Sequence, residues 1–166
     1  MMANLTKKGI NQIDVVTLAF LIKSQFAVMT AQLDSDTGVA DTTYASLWDL
    51  DLPGAGVEAS GTGWSNAECY DFLLQMVTNF NGVVAKLNAD GTVTDEDYAA
   101  ITSTIGEGLT NFVGISQGEI ITVLQTYITA LATLTAKLDN DGTVNDEDYA
   151  TNCNVTDTVD DTNIGN

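Results

Sequence analysis

The sequence predicts an all-α protein in which three repeated helix-turn-helix units form one bundle-like domain. Three observations lead there. A fourteen-residue segment occurs three times, at 33–46, 87–100 and 138–151. Each copy terminates a stripe of apolar residues with helical spacing, and the segment itself reads as a helix stop, a turn and a helix start. The units cover about 13–51, 66–104 and 117–151, within a single domain over 1–151 that is followed by an acidic tail, 152–166.

The first stripe is Val15, Ala19, Ile22, Phe26, Met29 and Leu33. The same offsets give Cys69, Leu73, Met76, Phe80, Val83 and Leu87 in the second copy, and Ile120, Leu124, Tyr127, Leu131, Leu134 and Leu138 in the third. Steps of four and three residues put all six on one helical face, so each copy predicts a long helix of about five or six turns. Ahead of the first stripe, Lys7 and Lys8 with the apolar run at 15–22 have the flavour of a secretory signal. That run is too short to span a bilayer and reads as part of a core helix.

Inside the repeated segment, Gly91 and Gly142 are placed to take the positive φ of a helix C-terminus. Val93 and Val144 can plug the corner, and Thr94 and Asn145 suit helix N-caps. The acidic triplets at 95–97 and 146–148 complement a helix dipole. Tyr98 and Tyr149 would pack a short second helix back onto the long one. The first copy has Thr37 where the others have glycine, then Gly38, and Asp41-Thr-Thr in place of the acidic triplet, which predicts a similar but differently wound turn. Glycine-rich connectors at 52–63 and 105–118 separate the units. Their G-x-G triplets follow no strand and so are linkers, with no sign of a phosphate cradle.

Charge narrows the function. The chain has 166 residues with 23 Asp and Glu against 5 Lys, no Arg and no His, for a net charge of −18. A polyanion would be repelled, which argues against nucleic-acid partners. Without His or Arg, the usual general base and the usual anion clamp are missing, so no enzyme is expected. A hydrolase running on carboxylates and a metal would need two or more of Asp90, Asp141 and Glu119 gathered in one deep pocket. Two cysteines in unlike contexts form neither a zinc motif nor a disulfide framework. Cys69 belongs to a core stripe, and Cys153 falls in the polar tail, where its thiol would be open to reaction. From 72 to 85 and from 120 to 136 there is no charged residue at all. Solvent-facing helix backs normally carry Glu and Lys, so these faces predict contact with other subunits, including further copies of this chain.

The turn also resembles the calcium loops of EF-hands and dockerin modules. In the third copy Asp139, Asp141 and Asp148 fall on loop positions that carry ligands, with Gly142 at the tight turn. Lys137 stands where the first carboxylate ligand is needed, and the second copy has Lys86 there. A structural turn is therefore expected in preference to a cofactor site, with weak calcium binding by the third copy as the alternative. That alternative would make the chain a calcium-dependent protein-binding module.

The run at 137–150 resembles a motif of small helical structural proteins of tailed bacteriophages, in which Leu-Asp-x-Asp-x-Gly-Val-x-Asp-x-Asp-Tyr-Ala follows an amphipathic helix. The first copy, 33–45, matches it except at Thr43. The resemblance covers the motifs and their helices. It implies a virion protein, non-enzymatic, that binds other virion proteins, with capsid decoration or a minor capsid, neck or tail position as its place; no membrane and no nucleic acid are implied as partners.

Overall fold

The computed structural model describes residues 12–51, 66–93, 98, 101, 117–146 and 148–155, and every regular element among them is helical. Three helices of 24 residues each, α1 (Gln12–Ser35), α3 (Asn66–Ala89) and α4 (Gln117–Asn140), carry the stripes. At 1.5 Å per residue each is about 36 Å long, a little over six turns. Two single-turn helices, α2 (Tyr44–Leu47) and α5 (Tyr149–Asn152), follow α1 and α4. Residue 101 is also helical, three residues beyond Tyr98.

The long helices bury the faces that the spacing assigns to them. All the stripe residues from Ala19 to Leu33, Cys69 to Leu87 and Ile120 to Leu138 are buried; the side chain of Val15 lies outside the described residues. The buried face is wider than the six-residue stripe. Leu18, Phe72 and Val123, at matching positions of the three copies, are buried as well, and so are Thr30, Val84 and Thr135. At the centre a chain of rings runs Trp48–Phe26–Phe80–Tyr127. Trp48 stacks on Phe26 at 4.6 Å, and the next two pairs meet edge to face at 5.4 and 6.3 Å. Aromatic pairs in these geometries add to what area burial alone contributes.

Threonine is an indifferent helix former, yet it is frequent in these helices. Its hydroxyls are satisfied within the helix: Thr78, Thr126, Thr129 and Thr133 each donate to the carbonyl four residues earlier. The buried Thr30 and Thr135 do the same, to Phe26 and Leu131. Such side chains leave the helix surface with little unsatisfied polarity.

The short helices act as bridges. α2 packs against both α1 and α3, α5 packs against both α4 and α1, and α4 contacts α1 and α3. By length and composition Val16–Ser35 and Glu119–Asn140 are apolar enough to cross a membrane, with mean hydropathy 1.3. Core helices meet the same criterion, and both of these pack a face against other helices.

Several local expectations need correction. Gly91 does not adopt a positive φ. The turn of the first copy is wound like the others: the Val39, Val93 and Val144 N–H groups donate to the Asp36, Asp90 and Asp141 carbonyls at 3.1–3.3 Å. Asn145 is not a helix N-cap, because α5 begins after Asp148. Packed structure also runs past 151. Asn152 ends α5, and Cys153 and Val155 are buried, the thiol included. Thr94, the triplet at 95–97, Glu147, the connectors and residues 156–166 lie outside the described residues.

Candidate functional site

Where each long helix ends, an aspartate takes the first position of a four-residue turn. Asp36, Asp90 and Asp141 are all buried. A short carboxylate here can accept from the N–H two residues on, forming an Asx-turn. The bonds from Gly38 at 2.7 Å, Thr92 at 2.9 Å and Thr143 at 3.1 Å do this. The Thr92 and Thr143 hydroxyls donate to the same carboxylates. Gly38 has no hydroxyl to offer, and the Asn145 N–H approaches Asp36 in that space at 3.2 Å.

The second oxygen of each aspartate reaches into a neighbouring copy. Tyr44 of the first copy donates its hydroxyl to Asp90 of the second at 3.0 Å, and Tyr98 of the second donates to Asp141 of the third at 3.0 Å. Tyr149 of the third donates to Asp36 of the first at 3.1 Å. Backbone donors join them: Asp41 N–H bonds Asp90, and Asp146 N–H bonds Asp36. The last link connects residues more than a hundred positions apart, so the chain of contacts returns to where it began.

These bonds set the electrostatics. Burial alone would raise the Asp90 carboxyl. The Thr92 hydroxyl and N–H, the Tyr44 hydroxyl and the Asp41 N–H outweigh it and hold the group below its ordinary value. The Tyr44 and Tyr149 phenols are pushed far up, by burial first and then by the carboxylates they face. The Asp90 corner is thus an acid whose ionised form is held by neutral donors.

A second layer of contacts joins the same copies. Position 32 of the first copy matches 86 of the second. Gln32 donates to Asp146 at 2.7 Å and to Asp148 at 3.2 Å. Lys86 pairs with Asp41 at 2.7 Å, contacts the Thr43 hydroxyl, and lies 5.0 Å from the centre of the Tyr44 ring. The Lys86 pair lowers the Asp41 pKa. Lys86, which takes the place of a first calcium ligand, brings a cation of its own to the adjoining turn.

The three calcium candidates are committed to separate tasks. Asp139 caps α5, accepting from the Tyr149 and Ala150 N–H groups at 2.7 and 3.0 Å. Asp34 does the same for α2 through Tyr44 and Ala45, and Asn88 accepts from Tyr98 N–H. Asp141 takes the Tyr98 hydroxyl and its own turn's N–H. Asp148 is exposed and accepts from Gln32 and Asn152. Among the described residues no group of three or more His, Cys, Asp or Glu is arranged to hold a metal ion. Asp90 and Asp141 sit at different corners, each wrapped by its own donors, so they are not brought together as the acid and base of a hydrolase.

No family model, curated protein or solved structure matches this chain.

Sequence reasoning found the aspartates and tyrosines but not their pairing. The signal was present: an Asp and a Tyr at a fixed separation in every copy, each of a type rarely buried without a partner. Cys153 was expected to be a reactive thiol of the tail. Instead it is buried, and burial with the Asp139 and Asp148 charges pushes it up to about 11. A thiol held neutral is a poor nucleophile.

Proposed function

We propose that the chain is three helix-turn-helix units closed into one bundle by the aspartate–tyrosine corners, and that it is a non-enzymatic structural component of a tailed-phage virion. It binds other virion subunits through the outer faces of its long helices. The observation that carries this reading is the character of those faces. On α4 the exposed positions include Thr122, Thr129, Ala132, Thr133 and Ala136, and on α3 they include Leu74, Thr78, Asn81 and Ala85. The outer face of α1 is similar, with Leu21 and Val28 exposed one above the other. A groove of about 530 Å³ runs along α4 between Thr122 and Lys137. Charge collects instead at the corners, where it serves the fold and leaves an acidic end.

Uncharged helix backs with small and hydroxylated residues permit close approach of another helix, and the acidic ends discourage non-specific clustering. Capsid decoration is the first position to examine, with a neck or tail position next. The calcium-module reading is weaker, since the carboxylates it needs already cap and close the corners. Two measurements test the proposal together: the native mass of the purified chain, and a search for its peptides in purified particles of a phage that encodes it. A higher oligomer and stoichiometric peptides are expected. A monomer at high concentration that is missing from such particles would refute it.

A further inference from the structure

The copies meet at seams built on one plan, and the seam between the first and third lacks the lysine of that plan. Between the first and second copies, Lys86 stands against the turn of the first: its ammonium is 2.7 Å from Asp41, touches the Thr43 hydroxyl and sits over the Tyr44 ring. The third copy keeps a lysine at the matching place, Lys137, whereas the first has Gln32. The turn that Gln32 faces is also the more acidic. It reads Asp146-Glu-Asp, where the turn facing Lys86 reads Asp41-Thr-Thr.

The contacts at Gln32 show the consequence. Its amide nitrogen donates to Asp146 at 2.7 Å and to Asp148 at 3.2 Å, so one neutral donor spans two carboxylates of the third copy. Asp36 presses on Asp146 from α1, and Asp139 at the end of α4 acts with Asp148 on the Cys153 thiol. The Tyr149 phenol and the Cys153 thiol at this seam are both pushed up and stay neutral. No cation is among the groups that act most strongly on Asp146. Two carboxylates that share one site resist ionising together.

We propose that the seam between the first and third copies is an acid-responsive clasp, in which a proton held between Asp146 and Asp148 does the work that the Lys86 ammonium does between the first and second. The proton comes from solvent, binds one carboxylate and is donated in a hydrogen bond to the other, so one negative charge leaves the seam. The matching aspartates of the two seams are shifted in opposite directions. Asp41 is lowered, first by its bond to Lys86. Asp146 is raised, first by its hydrogen bond with Asp148 and then by burial, with the Asp148 and Asp36 charges adding to this and the Gln32 amide opposing it. Closure through Asp146 is therefore strongest below its ordinary 3.8 and weakens as pH rises through the raised value. The Lys86 seam responds in the opposite sense. This inference stands apart from the assembly reading above.

The test follows the side-chain carboxyl carbons of the full chain by NMR across the acid range, with denaturation midpoints measured in acid and near neutrality. In the unaltered chain Asp146 and Asp148 should titrate as a coupled pair in two steps, the upper one above the ordinary carboxylate range. Gln32→Lys supplies the missing ammonium. It should bring both steps below that range and raise the midpoint near neutrality while changing it little in acid. Asp148→Asn should leave Asp146 a single step, lower than the upper step of the pair, and Lys86→Gln at the other seam should leave the pair as it was. Two independent, ordinary titrations in the unaltered chain would overturn the inference. So would an Asp146 that stays raised in Asp148→Asn, or a Gln32→Lys effect of equal size at both pH values, which a merely structural role would give. Should Gln32→Lys fail to fold, the titrations of the unaltered chain and of Asp148→Asn still decide.

Discussion

Gly38 and Gly91 occupy adjacent places in the same turn, and their surroundings differ sharply. A Cβ on Gly38 would lie 2.3 Å from the Thr143 carbonyl oxygen and 2.9 Å from the Asn145 nitrogen, both backbone atoms of the third copy. Gly91 has nothing within 4 Å, and Thr37 stands at its position in the first copy. Gly38→Ala should therefore cost about 1–3 kcal/mol in chemical denaturation, because the first and third turns must separate. Gly91→Ala should be neutral or stabilising by up to about 1 kcal/mol, through the less flexible unfolded chain. The acids give a second residue-scale prediction, with opposite signs at two sites. Asp90 has a lowered folded pKa, so the stability it contributes is present above its ordinary 3.8 and is lost as pH falls through the folded value. Asp146 is raised, first by its hydrogen bond with Asp148 and then by burial. Its contribution is present below 3.8 and is lost as pH rises through the raised value. Denaturation across pH 2–7 should accordingly show a flatter acid limb for Asp90→Asn. Asp146→Asn should gain stability near neutrality and not at the acid end.

At the scale of the element, the long helices are specified twice over, by a central aromatic chain and by interchangeable flanking positions. Phe80 sits between Phe26 and Tyr127 in that chain, and Phe80→Ala should cost about 3–5 kcal/mol. Thr30 and Thr135 are buried where the second copy has Val84. Their hydroxyls bond only to carbonyls of their own helix, so valine leaves no buried group unpaired. Thr30→Val and Thr135→Val should each change stability by less than about 1 kcal/mol, measured beside Phe80→Ala in the same assay. The helices were legible in the sequence because their period survives in all three copies, down to Cys69 and Tyr127 taking apolar places. The corners were legible as turns but not as junctions. Periodicity within a copy says nothing about which copy Tyr149 will reach, and a carboxylate that caps a helix ten residues away, as Asp139 does, leaves no local capping signature. Cys153 was misplaced because the sequence after 151 turns polar, whereas Cys153 and Val155 continue the positions of Trp48 and Leu50.

For the whole molecule, the contacts between the first and third copies predict that stability is shared among the long helices. In an open stack of repeats each unit touches only its neighbours, so the ends fray and the transition can divide. Here the third copy returns to the first through Tyr149, Asn145 and Asp146 on Asp36, reinforced by Gln32 on Asp146 and Asp148. Neither copy is therefore terminal in energetic terms, although one lies early in the chain and the other late. The Tyr149 hydroxyl faces a buried carboxylate just as Tyr44 and Tyr98 do, and deleting it leaves that acid short of a donor. Tyr44→Phe, Tyr98→Phe and Tyr149→Phe should each cost about 1–3 kcal/mol, with the third no cheaper than the others. Each variant should still unfold in one step, and amide exchange should quicken to the same degree in α1, α3 and α4 because all three open only with the whole. A markedly smaller cost for Tyr149→Phe, or earlier exchange in α1 than in α3, would mean that the link between Tyr149 and Asp36 is passive and that the molecule behaves as an open stack.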